Sequence, residues 1–224
     1  MDRYFYQKID STNEEAKRLL RKGKSPPFYV VAEVQTQGKG QQGRKWISHR
    51  GGLYISIVLG EEYDIATALV SATLSVQRLL IPYIPNIKIR FPNDLITKNK
   101  KIAGILIERG SGFTIFGIGI NVNQKIFPEE IRDKATSLYL ITGEKYSIRE
   151  IEEDILKHLL DIRKLPFRVL FQWYRKALML DIPAVLHLKR GASIRTVIKD
   201  ITEKFDILTE KGYFKLEKLV WIEW

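Results

Sequence analysis

Runs of apolar residues in the first four-fifths of the chain alternate between strand-like and helix-like patterns. Short runs rich in β-branched and aromatic residues predict strands over 28–34, 53–59, 88–91 and 113–123. Longer segments with helical spacing or small apolar residues predict helices over 11–22, 64–80, 147–164 and 167–178. The helix over 64–80 is rich in Ala, Leu, Val and Ser, so we expect it to be buried against a sheet.

The pattern changes near residue 181. Gly191 and Lys211-Gly212 punctuate short alternating runs, which predict strands over 183–189, 193–201, 205–209, 213–216 and 219–224. Five short strands in succession predict a small SH3-like β-barrel. We therefore predict two domains, 1–178 and 179–224.

A glycine-rich, basic loop joins the predicted strands 28–34 and 53–59. It reads Gly-Lys-Gly-Gln-Gln-Gly-Arg-Lys-Trp from Gly38 to Trp46. Glycine lets backbone N–H groups approach a phosphate closely, and Lys or Arg supplies charge to it. The G-x-G-x-x-G spacing of a dinucleotide site is present, but no helical pattern follows it, so that interpretation fails. A ligand-binding loop and a solvated basic hairpin loop both stay open.

The stretch 90–108 predicts a β-hairpin that carries two charged candidates. If the turn is the two residues 98–99, Ile96 lies opposite Lys101. Asp94 then shares a face with Lys101, as a diagonal pair roughly 7–8 Å apart. Such a pair could hold a phosphate beside the Lys and a nucleophile beside the Asp. The alternatives are a surface salt bridge of little energetic weight, or a longer loop that breaks this geometry.

Polar groups cluster at the start of the first predicted helix. Ser11 and Glu14 form a capping box, which by itself explains both residues. Thr12 and Asn13 add hydrogen-bonding groups that capping does not require. Capping alone and ligand binding are therefore both possible here.

A strip of glycine marks the strand 113–123. Gly117 and Gly119 fall on one face, and Asn121 continues that face with an amide able to contact adenine. A strip without side chains leaves room for a flat group against the sheet. A bulge or a close helix crossing would account for the two glycines equally well.

Composition narrows the class of protein. The 224 residues are 45% hydrophobic, enough for a proper core, and include no Cys, which excludes disulfides and Cys-ligated metals. No apolar run is long enough to span a bilayer and the first residues lack a signal-peptide core, so we expect a soluble, cytoplasmic protein. The net charge of +11 suits a nucleic acid, an acidic small molecule or an acidic protein.

The chain resembles the biotin protein ligases, because five motifs occur in the order found in that family. They are Ser11-Thr-Asn, Gln35 with the loop 38–46, Phe91-Pro-Asn-Asp, Lys101-Ile-Ala-Gly-Ile-Leu-Ile-Glu and Gly117-Ile-Gly-Ile-Asn-Val-Asn. The resemblance covers nearly the whole chain. It implies an α+β fold, in which helices flank a mixed β-sheet of the class II synthetase type, with the SH3-like barrel after it. It also implies a homodimer of the short form, without an N-terminal winged helix-turn-helix, so we expect neither DNA nor membrane as a partner.

The resemblance implies a two-step reaction that uses biotin, ATP and Mg²⁺. The biotin carboxylate attacks the α-phosphate of ATP, and a lysine of a biotin carboxyl carrier protein then attacks the resulting biotinyl-5′-AMP. Residues implied to contact biotin are Ser11, Thr12, Asn13, Gln35, Gly38, Lys39, Gly40 and Lys101. Residues implied to contact ATP are Arg44, Lys45, Trp46, Asn93 and Asn121. Lys101 would stabilise charge in the transition state, and Asp94 would orient or deprotonate the incoming amine.

Two segments depart from the family pattern, the glycine-rich loop and the pair Arg90-Phe91. Lys39 and Gln41 stand where the family loop usually has two arginines, and Gln41 carries no charge, which predicts faster leakage of the adenylate. Arg90-Phe91 replaces the usual Lys-Trp and keeps both charge and aromaticity. A lipoate ligase of the same superfamily is one alternative. A basic nucleic-acid-binding module, with salt-sensitive binding, is another.

Overall fold

The computed structural model describes residues 1–61, 63–189 and 191–224. Its larger sheet has seven strands in the order β1-β2-β3-β7-β6-β5-β4. β1 pairs with β2 in parallel, and the other neighbours are antiparallel. The strands are β1 (Asp2–Tyr6), β2 (Phe28–Ala32), β3 (Gly52–Leu59), β4 (Lys88–Arg90), β5 (Asp94–Thr97), β6 (Lys100–Gly110) and β7 (Phe113–Asn121).

Helices cover both faces of this sheet, which explains why its central strands are apolar without alternation. Along β2, Tyr29 and Val31 join the larger core, whereas Phe28 and Val30 pack with Ala16 in a smaller one. The smaller core lies under α1 (Thr12–Arg21). The larger core includes residues of the helices α2 (Ile65–Leu80), α3 (Leu138–Thr142), α4 (Ile148–Ile162) and α5 (Phe167–Ala177).

A second sheet of five antiparallel strands follows, in the order β11-β10-β9-β8-β12. Its strands are β8 (Ile182–Leu188), β9 (Ser193–Ile201), β10 (Ile207–Thr209), β11 (Gly212–Phe214) and β12 (Leu219–Glu223). Phe205 joins the two regions, because its ring lies 5.5 Å from that of Phe91 and 6.0 Å from that of Tyr174. The predicted class, a helix-flanked mixed sheet followed by a small β domain, is confirmed. The domain boundary at 178/179 stays a prediction.

Two elements escaped sequence-based prediction. β1 is an edge strand whose alternation is masked by Asp2 and Arg3, and α3 is too short to show a helical period. All the helices and strands that the sequence predicted are present, with their ends shifted by a few residues. Within the described ranges, no helix combines the length and apolarity needed to cross a bilayer.

Candidate functional site

A cavity of about 940 Å³ lies where the two sheets meet, and we call it the reaction cavity. Its walls come from the start of α1, the loop 39–46, the β5–β6 hairpin and β12. All the predicted site residues except Gly38 and Asn121 line it. They are Ser11, Thr12, Asn13, Gln35, Lys39, Gly40, Arg44, Lys45, Trp46, Asn93, Asp94 and Lys101.

The β5–β6 hairpin has the predicted two-residue turn, since Lys98 and Asn99 both have positive φ and Ile96 faces Lys101. A register shift after Leu95 then departs from the expected regular ladder and places Asp94 opposite Gly104. As a result the side chains touch, and Lys101 Nζ lies 2.5 Å from Asp94 Oδ1.

Gly104 makes room for this contact. A Cβ on Gly104 would lie 3.0 Å from Lys101 Cε and 3.1 Å from Lys101 Nζ. Arg90 Nη2 donates to the other oxygen of Asp94 at 3.0 Å, so two cations hold this half-buried carboxylate. The arrangement presents an ammonium group and a carboxylate side by side on the wall of the reaction cavity.

The glycine strip receives a flat group, the indole of Trp46. Gly104 and Gly119 pair across β6 and β7, and a Cβ on Gly119 would lie 2.5 Å from Trp46 Nε1. Lys101 Nζ lies 4.9 Å from the centre of the same indole, a cation–π distance. The Trp46 N–H is buried and meets no acceptor within the described part of the chain, so it can serve a ligand.

At Gly117 the alternative interpretation, a close helix approach, applies. A Cβ there would lie 2.5 Å from Asn13 Oδ1, on the first turn of α1. Asn13 Nδ2 donates to Glu108 at 2.7 Å, and Ser56 Oγ donates to Asn13 Oδ1. Ser56 and Glu108 were not predicted as site residues. The sequence carries a signal for Ser56, because a serine in a strand that is otherwise apolar, apart from Tyr54, is unusual.

The start of α1 does more than cap the helix. Ser11 Oγ accepts from the N–H of Glu14 at 3.5 Å, but Glu14 does not close the predicted capping box. Asp10 accepts the N–H of Ser11 instead, while the ammonium group of Lys39, and then that of Lys17, holds the pKa of Glu14 below its ordinary value. The Ser11 half of the predicted capping box is present. The Glu14 half is wrong, because the Glu14 carboxylate forms ion pairs with Lys17 and Lys39.

Thr12 and Gln35 link the helix to the loop. The Gln35 side-chain oxygen accepts both the N–H of Thr12, at 2.8 Å, and its hydroxyl, at 3.1 Å. Gln35 Nε2 donates to Ser48 Oγ at 2.7 Å. These bonds fix a polar wall at this end of the cavity, with its partners already oriented.

The glycine-rich loop folds back on itself as a narrow hairpin, in agreement with the failure of the dinucleotide interpretation. The backbones of Lys39 and Lys45 form an isolated antiparallel β-bridge, and a single 3-10 turn, Gln41–Gly43, forms the tip of the hairpin. Gly38 is not among the residues that line the cavity. A Cβ there would lie 2.4 Å from the backbone oxygen of Trp46. Its role in this arrangement is close backbone packing.

The C-terminal strand closes the reaction cavity, which the sequence did not predict. Arg44 lies over the indole of Trp221 at 5.7 Å, and Gln42 Nε2 donates to the Val220 carbonyl. Trp221 in turn stacks on His187, with ring centroids 4.0 Å apart and planes within 1°. The basic loop thus docks on β12 and brings its cations to the cavity wall.

The two asparagines predicted for the nucleotide are engaged in the protein. Asn93 lines the cavity, and its Nδ2 donates to the Ile105 carbonyl at 2.6 Å. Asn121 is buried behind the lining and donates to the Thr136 carbonyl at 3.0 Å. Their contacts with a nucleotide stay predictions. Among the described residues, no group of three His, Asp or Glu side chains could hold a metal ion.

The cavity can accommodate two kinds of group at once. Cations at Arg44 and Lys45 suit phosphates, while the polar wall at Thr12 and Gln35 suits a small hydrogen-bonding molecule. Lys101 lies among these parts, in contact with both Asp94 and Trp46. This geometry suits a reaction between a phosphate and a second bound group.

Sequence comparison finds relatives among known biotin ligases. The bifunctional ligase/repressor BirA of Bacillus spizizenii is 34% identical over 160 residues, which cover 66% of this chain and 49% of that protein. The biotin–[acetyl-CoA-carboxylase] ligase of Paracoccus denitrificans is 32% identical over 151 residues, which cover 61% of each. The chain thus spans about half the length of the first of these relatives and about three fifths of the second.

A solved structure matches over nearly the full chain. The biotin protein ligase from Aquifex aeolicus, in complex with biotin and ATP, superposes with a TM-score of 0.86 at 31% identity, covering 99% of this chain and 98% of that one. A sequence profile of the biotin/lipoate A/B protein ligase family matches residues 5–124, more than half of the chain. The chain therefore belongs to the biotin/lipoate A/B protein ligase family.

Proposed function

We propose that this protein activates biotin with ATP to biotinyl-5′-AMP and transfers biotin to a lysine of a biotin carboxyl carrier protein. The observation that carries the proposal is the contact of Lys101 with both Asp94 and Trp46 in a cavity lined by a polar wall and a basic loop. The solved relative from Aquifex aeolicus, which holds biotin and ATP, supports the same assignment.

In the first step, a carboxylate oxygen of biotin attacks the α-phosphorus of ATP, and the bond to pyrophosphate breaks. Lys101 is suited to bridge the carboxylate and the α-phosphate, because charge accumulates between them in the transition state. Arg44 and Lys45 would neutralise the phosphates, and Trp46 would lie against the nucleotide. Lys39 and Gly40 would contact biotin from the loop, whereas Gly38 lies outside the cavity lining.

The polar wall would bind biotin. Thr12 and Gln35 are bonded to each other, and Asn13 is held by Glu108, so their orientation is set before the ligand arrives. Preorganised polar groups lose little entropy on binding. Ser11 lies at the start of the same helix and is the fourth member of the wall.

In the second step, a carrier lysine attacks the acyl carbon of the adenylate, and AMP leaves with the bonding electron pair. The attacking amine must lose a proton, since a free lysine is protonated near neutral pH. Asp94 is suited to accept that proton or to orient the amine. Mg²⁺ would enter with ATP as its phosphate complex, and we assign it no side chain.

ATP–pyrophosphate exchange tests the first step. We would measure it with biotin, with lipoate and with no acid, for the wild type, Lys101→Ala and the control Lys157→Ala on the exposed side of α4. We expect exchange with biotin alone, lost in Lys101→Ala and kept in the control. Exchange with lipoate would keep the chemistry and change the substrate, and no exchange with either acid would refute the proposal.

Other features of the proposed function come from the sequence alone. The homodimeric state, the cytoplasmic location and the roles of Asn93 and Asn121 stay predictions. The class of acceptor, a biotin carboxyl carrier protein, is proposed by similarity to the biotin–[acetyl-CoA-carboxylase] ligases.

A further inference from the structure

A second, basic recess lies beside the reaction cavity. It has a volume of about 490 Å³, and we call it the basic recess. Lys98, Lys100, Lys125 and Arg132 line it, and among the described residues no Asp or Glu does. None of these four cations forms an ion pair with a described carboxylate. Glu129, Glu130 and Asp133 belong to the same segment of chain but lie outside this lining.

The recess also has an exposed apolar part. Ile126 is 82% exposed, the highest value among the large hydrophobic residues described as exposed, and Leu140 is 48% exposed. Phe127 and Ile141 form an apolar wall behind these two side chains. An apolar centre with a charged rim is typical of a surface that binds another protein. A nucleic acid backbone would leave Ile126 and Leu140 without apolar partners.

The basic recess and the reaction cavity share two pieces of chain. In the hairpin turn, Asn99 lines the reaction cavity, while Lys98 and Lys100 on either side of it line the recess. In the segment 134–136, Lys134 lines the reaction cavity, while the two residues after it line the recess.

This segment is fixed directly to the proposed catalytic lysine. The Lys101 N–H donates to the Lys134 carbonyl at 2.8 Å, and the Thr136 N–H donates to the Lys101 carbonyl at 2.9 Å. The recess is therefore continuous with the wall that carries Lys101.

We propose that the basic recess binds an acidic face of the protein that supplies the acceptor lysine. This inference rests on the proposed function and deepens it. A lysine side chain reaches only a short distance beyond its own backbone, so the body of the acceptor must cover the surface next to Asp94 and Lys101. Charge complementarity across such a rim raises the association rate and sets the orientation of the docked protein.

Charge reversal tests the inference. The test variant is Lys125→Glu/Arg132→Glu, and the matched control is Lys157→Glu/Lys176→Glu, which reverses two exposed cations on α4 and α5. Each protein is assayed for ATP–pyrophosphate exchange with biotin. Biotin transfer is then measured against increasing unbiotinylated carrier domain, at low and at physiological ionic strength.

We expect exchange to be unchanged in both variants, because neither alters the reaction cavity. The KM for the carrier domain should rise roughly tenfold in the test variant only, and its dependence on salt should weaken. Ile126→Ser should raise the same KM without changing the salt dependence. An unchanged KM in the test variant, with transfer intact, would overturn the inference.

Two further outcomes would also overturn the acceptor assignment, each for a different reason. If the wild type shows no exchange with biotin, the proposed function fails before any carrier is added, and the inference falls with it. If a random-sequence RNA binds the wild type but not the test variant, while the KM for the carrier domain is the same in both, the recess binds polynucleotide, and the acceptor assignment is wrong.

Discussion

Lys101 Nζ lies 2.5 Å from Asp94 Oδ1, so the residues assigned to two successive chemical steps form one ion pair. The contact exists because a register shift brings Asp94 opposite Gly104, a residue with no side chain to separate the partners. Both side chains are largely buried, at 28% and 17% exposed. Removing either charge therefore leaves the other with an altered partner, and only a step-by-step assay can separate their roles.

Asp94→Asn should affect the transfer step far more than activation. The amide keeps the size of the side chain but cannot take up a proton, so we expect transfer to a carrier lysine to fall roughly 100-fold. ATP–pyrophosphate exchange should stay within a few-fold of the wild type. Single-turnover transfer from preformed enzyme-bound adenylate measures the second step alone.

Hydroxylamine supplies the control for this variant, because it is already neutral at pH 7. Asp94→Asn should transfer biotin to hydroxylamine about as fast as the wild type does. Equal losses with hydroxylamine and with lysine would mean that Asp94 positions the adenylate and does not handle the proton.

Gly119→Ala should displace the indole of Trp46. The added Cβ would lie 2.5 Å from Trp46 Nε1 and 2.5 Å from Trp46 Cε2, which is closer than real contacts allow. We expect a loss of about 1–3 kcal/mol in the free energy of unfolding and at least a tenfold loss of exchange activity.

Gly60→Ala is the matched control, because the nearest atom to its Cβ is 3.5 Å away, on Pro26. Denaturant unfolding and ATP–pyrophosphate exchange measure the two effects for both variants. If Gly119→Ala behaves like Gly60→Ala in both measurements, the close contact with Trp46 affects neither stability nor exchange activity.

The hairpin and the glycine strip illustrate how far the sequence leads. Local rules indicate a turn near Lys98 and Asn99 but leave its length open, and the structure shows positive φ at both residues, as a two-residue turn requires. Local rules give no indication of the shift after Leu95, which depends on packing across two strands. The pairing of Asp94 with Lys101 was therefore predicted as a diagonal neighbour and found as a direct contact.

Contacts between distant parts of the chain escaped prediction for the same reason. Nothing local to the loop 38–46 indicates that Arg44 will lie over Trp221, since the two residues are far apart in sequence and meet only through the tertiary fold. Likewise, the glycine strip indicated space for a flat group, but not that Trp46 would fill it. Periodicity identifies the elements, and tertiary packing decides which side chains meet.

Gln41→Arg should slow the release of the adenylate. Gln41 lines the reaction cavity at the start of the 3-10 turn and carries no charge, so an arginine there would add a cation near the phosphate. We expect biotinyl-AMP to leave roughly tenfold more slowly, as measured by rapid filtration of preformed enzyme–adenylate complex. Gln41→Met, which has similar length and no charge, should not slow release, and equal rates for Gln41→Arg and the wild type would contradict the prediction.

Asp10→Asn should make the start of α1 less stable in a pH-dependent way. Two hydrogen bonds from Arg18 lower the pKa of Asp10 from its ordinary value of 3.8 to about 2, and the Ser11 N–H contributes further. Because the folded pKa lies below the unfolded one, the stabilisation is complete above about pH 4 and is lost as the pH falls towards 2. After allowance for solvent screening of this half-exposed pair, we expect a loss of about 1 kcal/mol at pH 7.

A double-mutant cycle with Arg18→Gln tests the cause of this effect. Without the guanidinium group, Asp10→Asn should cost much less at pH 7, and its cost should vary little between pH 4 and pH 2. Urea unfolding of the four proteins at several pH values measures both quantities. If Asp10→Asn costs the same with and without Arg18, the carboxylate stabilises α1 through the Ser11 N–H, and the pair with Arg18 adds nothing measurable.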